Sequence, residues 1–349
     1  MNKQERQSQI LSHITEVRPD QLVSTRELAD EFNVSEITMR RDLQELADEG
    51  LIHRQHGGVM LPKSPTHVTQ SIGILLVYDY GKFSNPFFNE LLEGADTELQ
   101  QMGYHLGFVK TITEINTPQD IQNLVQQQPI KGLLIIGGLD VENLKVWESL
   151  VPNIVMTLAL INENDDTILF DGCGGMRKMV AHLKELGHKR IGFVTQHNFH
   201  NMVDDRLTGY HTGIAEHGLD ADPNLVIEVQ ASFPRIPVKI GREGAEKLMA
   251  LDNPPSAIMC LSDLIALGAM QWLQVNGYRI PQDVAVTGFD NIPDSSLAFP
   301  ALTTVHVHKS YLGKLAVQQL HKRINNPDDP AIVITTPTSL VIRQSSGAS

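Results

Sequence analysis

From Ser71 onward, short apolar runs alternate with stretches of helical periodicity, and this alternation narrows the possible folds more than any other feature. Strand candidates are Ile72–Tyr78, Gly132–Ile136, Asn153–Thr157, Arg190–Thr195, Leu225–Val229, Ala257–Leu261 and Val284–Gly288. Between them, Phe87–Gln101, Met176–Leu186, Gly241–Leu251 and Leu264–Asn276 read as helices. Strands that alternate with helices over this length predict an α/β fold of doubly wound parallel sheets. The number of units suggests two such layers in tandem, splitting near Leu160. A chain of 349 residues has room for that and for one small domain more. Its only cysteines, Cys173 and Cys260, form no CxxC pair, so neither a disulfide framework nor a cysteine zinc site is expected. No apolar run is long enough to span a bilayer, and the first 60 residues hold no signal-like stretch, so a cytoplasmic location is expected.

Residues 1–60 follow a different pattern. Ile10, Leu11 and Ile14 sit at helical spacing in a first helix that ends before Pro19. Ser24 or Thr25 caps a second, Arg26 to Phe32, and Asn33 suits the tight turn that follows. Ser35 caps a third, with Glu36 placed where the helix dipole favours an anion. At about 100° per residue, Met39, Leu43 and Leu46 form one apolar stripe on that third helix. The opposite side presents Ile37, Arg41 and Gln44, flanked by Thr38 and Arg40. These side chains suit the major groove: arginine grips guanine or phosphate, glutamine pairs with adenine, and isoleucine or threonine meets a thymine methyl. Leu51 to Met60 reads as a hairpin turning at Gly57-Gly58, a wing whose His53, Arg54 and His56 reach phosphate or the minor groove.

Net charge argues the other way. The chain sums to −13, and residues 1–62 hold seven Lys/Arg against eleven Asp/Glu, whereas nucleic-acid domains are usually basic. Local field decides, and Arg40, Arg41 and Arg54 cluster on the proposed reading face. An isolated arginine pair merely solvates a helix, but here the surroundings are specific. The stretch TRELADEFNVSEITMRRDLQELADEGLIHRQHGG resembles the winged helix-turn-helix of DeoR-type bacterial regulators across residues 5–60. The resemblance implies binding to double-stranded operator DNA. DeoR-type regulators usually continue into a phosphosugar-isomerase-like sensor, which the residues after 60 do not resemble.

Residues 61–71, with Pro62 and Pro65 and no periodicity, read as a semi-extended linker. In open α/β sheets, ligands bind beyond the carboxyl ends of the strands. Asp79 follows Ile72–Tyr78, Asp171 follows Thr167–Phe170, Asp263 follows Ala257–Leu261, and Asp290 follows Val284–Phe289. Arg206 opens a further helix. With Phe83, Phe87 and Phe233, these residues make a carbohydrate pocket: carboxylates accept from paired hydroxyls, arginine donates to oxygens, and aromatic faces cover C–H surface. Each also has a plainer reading. Asp263 caps the helix from Leu264, Asp290 closes a turn, and the phenylalanines are core.

Residues 72–343 resemble the effector domain of the LacI/GalR family, which has a two-lobed periplasmic-binding-protein-like fold. The matching stretches are Ser84-Asn-Pro-Phe-Phe88, Glu93-Gly-Ala-Asp96, His182 to Phe193, Arg206-Leu-Thr-Gly-Tyr210, Pro255 to Asp263, Ile280 to Asp290 and Pro300 to Val305. The resemblance implies an N-lobe of about 72–160 and 291–325 and a C-lobe of about 161–290 and 326–343. It also implies effector contacts at Asp171, Arg206, Asp263 and Asp290, and a homodimer or dimer of dimers. The sequence departs from the family around Tyr80-Gly-Lys82, at Gly172-Cys-Gly-Gly175, and in lacking the family's own headpiece and hinge helix.

Gly172-Cys-Gly-Gly175 lacks phosphate-loop spacing and reads as a loose turn before a helix. The pairs His197/His200, His211/His217 and His306/His308 lack further ligands, so no metal or other cofactor is expected, and Ser345 to Ser349 reads as a frayed tail. The expectation is a transcriptional repressor, not an enzyme, controlled by a sugar or sugar derivative. A purine, nucleoside or sugar phosphate is the alternative effector, and a transport or sugar-modifying domain the alternative class.

Overall fold

The computed structural model describes residues 3–17, 23–48, 52–55, 58–60, 71–78, 82–196, 205–230 and 236–347, in two units, Met1–Thr69 and Gln70–Ser349. The first contains α1 (Lys3–Val17), β1 (Val23–Ser24), α2 (Thr25–Glu31), α3 (Glu36–Asp48), β2 (His53–Gln55) and β3 (Gly58–Met60). Of the two expected caps, Ser24 serves α2: its hydroxyl accepts from the backbone of Arg26 and Glu27, and its own N–H donates to the Glu27 carboxylate. This capping box satisfies amides that the first helical turn cannot pair itself. Asn33 takes φ 52° in the turn to α3. Ile10 and Ile14 of α1 pack with Leu28, Met39, Leu43, Leu46, Ile52 and Val59 in one buried cluster.

The strands of this unit form an antiparallel sheet in the order β1-β3-β2. Gly58 was expected in the turn at Gly57-Gly58 but belongs to β3; Gly57 lies outside the described residues. A Cβ on Gly58 would collide with the Val23 carbonyl, so the pairing of β3 with β1 requires glycine there.

The second unit continues with β4 (Ser71–Leu76), α4 (Pro86–Gln101), β5 (His105–Thr111), α5 (Pro118–Gln127), β6 (Gly132–Ile136), α6 (Val141–Leu150), β7 (Ile154–Thr157) and β8 (Thr167–Phe170). Then come α7 (Gly172–Glu185), β9 (Ile191–Gln196), α8 (Asp205–Glu216), β10 (Val226–Val229), α9 (Pro237–Met249), β11 (Ala257–Cys260), α10 (Asp263–Val275), β12 (Ala285–Thr287) and α11 (Pro293–Leu297). The last elements are β13 (Thr304–His306), α12 (Lys309–Asn325), β14 (Val333–Thr336) and β15 (Ser339–Val341). Among the described residues, one parallel sheet has the order β14-β8-β7-β6-β4-β5 and a second has β10-β9-β11-β12, while β13 and β15 pair antiparallel.

Burial on both faces explains why β6 reads as the unbroken run GLLII. Leu134 and Ile136 point into the cluster with α4 and α12, whereas Leu133 and Ile135 point into the cluster with Ile121, Leu144 and Trp147 of α5 and α6. On the first face, α4 and α12 pack backbone to backbone. A Cβ on Gly94 would strike the Ser310 carbonyl, and one on Gly313 would strike the Leu91 carbonyl.

The chain crosses between lobes at places other than those expected. The strand of residues 167–170 and that of 333–336 were expected in the C-lobe, yet β8 and β14 pair with each other and with β7 in the first sheet. Residues 291–308 were expected in the N-lobe, but backbone bridges Thr287 to Thr303 and Asp290 to His306 hold them to the second sheet. Register decides this: β8 continues the pairing of β7, so the first crossing falls after Phe170 and the second near Val307.

β5 was not expected as a strand, because its exposed edge carries His105 and Lys110 and lacks an apolar run. The tail also differs. Ser345 and Ser346 are fully buried, with the Ser345 hydroxyl donating to the Val286 carbonyl and accepting from Thr303 N–H. Gly313→Ala should destabilise the second unit by about 1–3 kcal/mol through overpacking against α4, read as a lower urea midpoint with an unchanged slope.

Candidate functional site

On α3, the Ser35 hydroxyl accepts from Thr38 N–H at 3.2 Å and lies 2.9 Å from the Thr38 hydroxyl, so both residues serve the helix cap. Met39, Leu43 and Leu46 are buried, as their stripe predicts. The opposite face is open: Ile37 is 81% exposed. Arg41 and Arg40 have exposed side chains and, among the described residues, pair with Glu45 at 3.8 Å and Glu36 at 3.3 Å. Such exposed i,i+4 pairs contribute about 0.3–0.5 kcal/mol, so phosphate or guanine competes with them readily. Arg54 of β2 donates to the Gln44 side chain, which joins the wing to the reading face. The side chains of His53 and His56 lie outside the described residues.

The acidity of this unit is partly cancelled away from that face. Arg6 donates to the buried Asp42 at 2.6 Å, and Lys3 and Gln7 donate to Glu45, tying α1 to α3. Those hydrogen bonds, Lys3 first and then Gln7, hold the Glu45 carboxyl below its usual range.

In the second unit, polar groups meet where the chain passes between the two sheets. Arg206, near the start of α8, has Nη1 3.9 Å from Asp290 Oδ1 and 3.1 Å from the Leu261 carbonyl, to which it donates. Its guanidinium carbon lies 5.4 Å from the ring centre of Phe289 and 6.0 Å from that of Phe170. These two rings, 5.7 Å apart, come from opposite lobes. Phe170 in turn meets Phe87, which meets Phe88, which meets Tyr78, so an aromatic file runs through the first lobe to the junction.

Asp290 takes φ 116° and Asn291 φ 52°, left-handed backbone that turns the Asp290 carboxylate toward Arg206. Burial pushes the Asp290 carboxyl up to about 7, against the pull of Arg206 and Lys309. Asp171 caps α7, its Oδ1 accepting from Gly174 N–H at 2.7 Å. Asp205 accepts from the N–H groups of Gly172 and Cys173 at 3.0 and 3.1 Å, so two carboxylates meet the α7 N-terminus. Gly172-Cys-Gly-Gly175 is therefore the first turn of α7 and not a loose turn before it. Its glycines admit these carboxylates, since a Cβ on Gly172 would strike Asp205 and one on Gly174 would strike Asp171.

Two expected effector contacts need correction. Asp263 has no exposed surface: Thr304 Oγ1 donates to one carboxylate oxygen and Ile292 N–H donates to the other at 2.9 Å. It sits at the first position of α10, with Ser262 as the cap, so Asp263 staples the loop that carries Asp290. Burial, and next the neighbouring Asp290, raise its carboxyl well above the usual range. Phe87 is a core residue at 6% exposure. Phe83 is 63% exposed in the loop before α4. Asp79 and Phe233 lie outside the described residues. The structure adds Phe170, Phe289, Asp205 and the buried Lys309. The phenylalanines were legible as strand-end neighbours of Asp171 and Asp290; nothing in the sequence marks Lys309.

Among the described residues, no helix is long and apolar enough to cross a membrane, and no cluster of three His, Cys, Asp or Glu side chains is placed to hold a metal.

Known proteins give the same two parts. The DeoR-like helix-turn-helix domain matches residues 6–65, and the periplasmic binding protein-like domain matches residues 180–346. A ribose operon repressor of Haemophilus influenzae is 30% identical over 279 residues, covering 79% of this chain and 81% of the relative. The chain belongs to the LacI family of transcriptional repressors. The HTH-type transcriptional repressor PurR of Aliivibrio salmonicida is 27% identical over 80% of this chain and 82% of its own. Among solved structures, a transcriptional regulator LacI from Bacillus cereus subsp. cytotoxis superposes with a TM-score of 0.72 at 26% identity, covering 79% of this chain and 98% of the other. The protein is thus a ligand-controlled repressor whose LacI-type sensor follows a DeoR-like reading domain.

The raised Asp290 carboxyl has a measurable consequence. Between its unfolded value, about 4, and its folded value near 7, the folded state holds a proton that the unfolded chain has lost. Its contribution to stability is full below pH 4 and lost as pH rises through 7. Asp290→Asn should therefore match wild type near pH 4, gain on it progressively as pH rises, and level off above pH 7 with an advantage of up to about 4 kcal/mol, measured by denaturation at each pH.

Proposed function

We propose that this LacI-family repressor reads its operator with α3 and the wing, and that a small carbohydrate bound between the two lobes controls operator affinity. Residues 1–60 act as the reading domain, 61–71 as the linker, and 72–343 as the sensor and dimerisation domain. The observation that carries the sensor reading is the convergence of Arg206, Asp290 and Phe170 at the lobe junction. An arginine and a carboxylate at this separation serve neighbouring hydroxyls of one ring, and the part-exposed phenylalanine covers its C–H face. Asp171 supplies a further acceptor at the α7 N-terminus. The likeness to a ribose operon repressor supports a pentose as the first probe.

The reading face consists of Ile37, Arg40, Arg41, Gln44 and Arg54, held in place by the Ser35–Thr38 cap and joined by the contact between Gln44 and Arg54. His53 and His56 are further candidates for phosphate contact. The repressor acts as a homodimer on a two-fold operator with half-sites about one helical turn, or a multiple, apart.

The test pairs two variants with two readouts. Duplex DNA selected from random sequence supplies the operator, and D-ribose, D-ribose 5-phosphate and hypoxanthine supply the ligand screen by thermal shift. Arg41→Ala should weaken operator binding about 10- to 100-fold and leave the ligand-induced shift intact. Arg206→Ala should keep operator binding and lose the shift. A shift from hypoxanthine alone would replace the carbohydrate with a nucleobase. Unchanged operator affinity in Arg41→Ala would refute the reading face.

A further inference from the structure

Lys309, the first residue of α12, has a fully buried side chain. A buried ammonium is tolerated only when its three protons are all received. Here Nζ donates to the carbonyls of Asp290 at 2.8 Å and Asn291 at 3.2 Å, and lies 3.1 Å from Glu90 Oε2 of α4. The Val307 carbonyl is a fourth, longer neighbour at 3.4 Å. The two loop carbonyls belong to the second lobe and Glu90 to the first, so one ammonium holds both sides of the second crossing.

Its acceptors are specific to function. Asp290 and Asn291 are the two left-handed residues of their loop, and their conformation aims the Asp290 carboxylate at Arg206. Arg343 and His306 hold the Asn291 side chain at 2.7 and 3.0 Å, which fixes the loop beside the Lys309 contact. On the first lobe, α4 and α12 meet through Gly94 and Gly313 and form one rigid pair.

We infer that Lys309 is a positioning residue: it sets the orientation of the Asp290 carboxylate and, through Glu90, couples the loop carrying that carboxylate to the α4–α12 pair. Effector that draws on Asp290 then pulls on the same ammonium that Glu90 holds, and the first lobe registers occupancy without touching the ligand. The coupling deepens the cleft reading and rests on it for its role, but not for its test.

The charged and titratable groups facing Asp290 are Arg206 from α8, Asp263 from α10, His306 from β13 and Lys309 from α12; Glu90 reaches it through Lys309. In protein labelled with 13C at aspartate carboxyl carbons, with the signal assigned through Asp290→Asn, the wild-type midpoint should lie near 7. Lys309→Met removes the cation and should raise that midpoint by about one unit or more. Glu90→Gln keeps the shape, frees the full charge of Lys309 toward Asp290, and should lower the midpoint by about half a unit. Opposite shifts from two residues, one of them out of contact with Asp290, are not produced by loosened packing. If Lys309→Met fails to fold, Glu90→Gln decides alone. An unmoved or raised midpoint in Glu90→Gln overturns the coupling. Because no ligand enters the titration, that result leaves the cleft reading standing.

Discussion

Burying a carboxylate costs several kcal/mol unless hydrogen bonds replace the water it loses, and Asp263 is fully buried at the first position of α10. The cost is offset by drawing the loop after β12 around it: Ile292 N–H and the Thr304 hydroxyl both turn inward to the two oxygens. Gly288 must lack a side chain, because a Cβ there would strike the same carboxylate. Immediately before Ile292, the loop passes through Asp290 and Asn291 in left-handed backbone, and their carbonyls need a donor. Lys309 supplies it, and Glu90 answers its charge from the other lobe. The Asp290 carboxylate then lies in the cleft beside Arg206, its acidity weakened by burial. The site depends on this series of substitutions for water, which begins with one aspartate that touches no ligand.

The two functional ends of the chain use charge differently. On α3 the arginines lie in water with weak i,i+4 partners, and their acidic neighbours Asp42 and Glu45 are engaged by α1. A net negative unit can therefore present a locally basic face, at the expense of sequence-independent DNA affinity. At the lobe junction, Asp263, Asp290 and Lys309 are buried together; Asp290 raises the Asp263 carboxyl, and Arg206 and Lys309 pull against the burial of Asp290. An exposed face exchanges partners quickly, which suits DNA; a buried cluster responds as a unit, which suits a switch.

Periodicity made the scaffold legible. Gly132–Ile136 was bounded correctly because both of its faces are buried, and the wheel of α3 sorted Met39, Leu43 and Leu46 from Ile37, Arg41 and Gln44 because one helix face meets the core. Features set by long-range pairing were not legible. The register of β8 against β7 decides where the lobes divide, and a sequence does not print register. Ser345 and Ser346 look like solvent-facing tail until Val286 and Thr303 are seen to need their hydroxyls. Nothing local marks Lys309, because its three acceptors arrive from two lobes. In the site, Asp290 was marked by the rule of strand ends and Arg206 as a helix opening, and the two come within 3.9 Å; Asp263 obeyed the strand-end rule and turned inward.

The central claim is that occupancy of the cleft and operator binding are linked through one protein. Such linkage is reciprocal and is typically worth about 5- to 150-fold in affinity. The direct measurement is the dissociation constant for a selected operator duplex with and without a saturating concentration of the sugar that stabilises the protein, repeated in Arg206→Ala. The account predicts a change of at least about fivefold in wild type and none in the variant. A sugar that binds wild type tightly and leaves its operator affinity unchanged would contradict it.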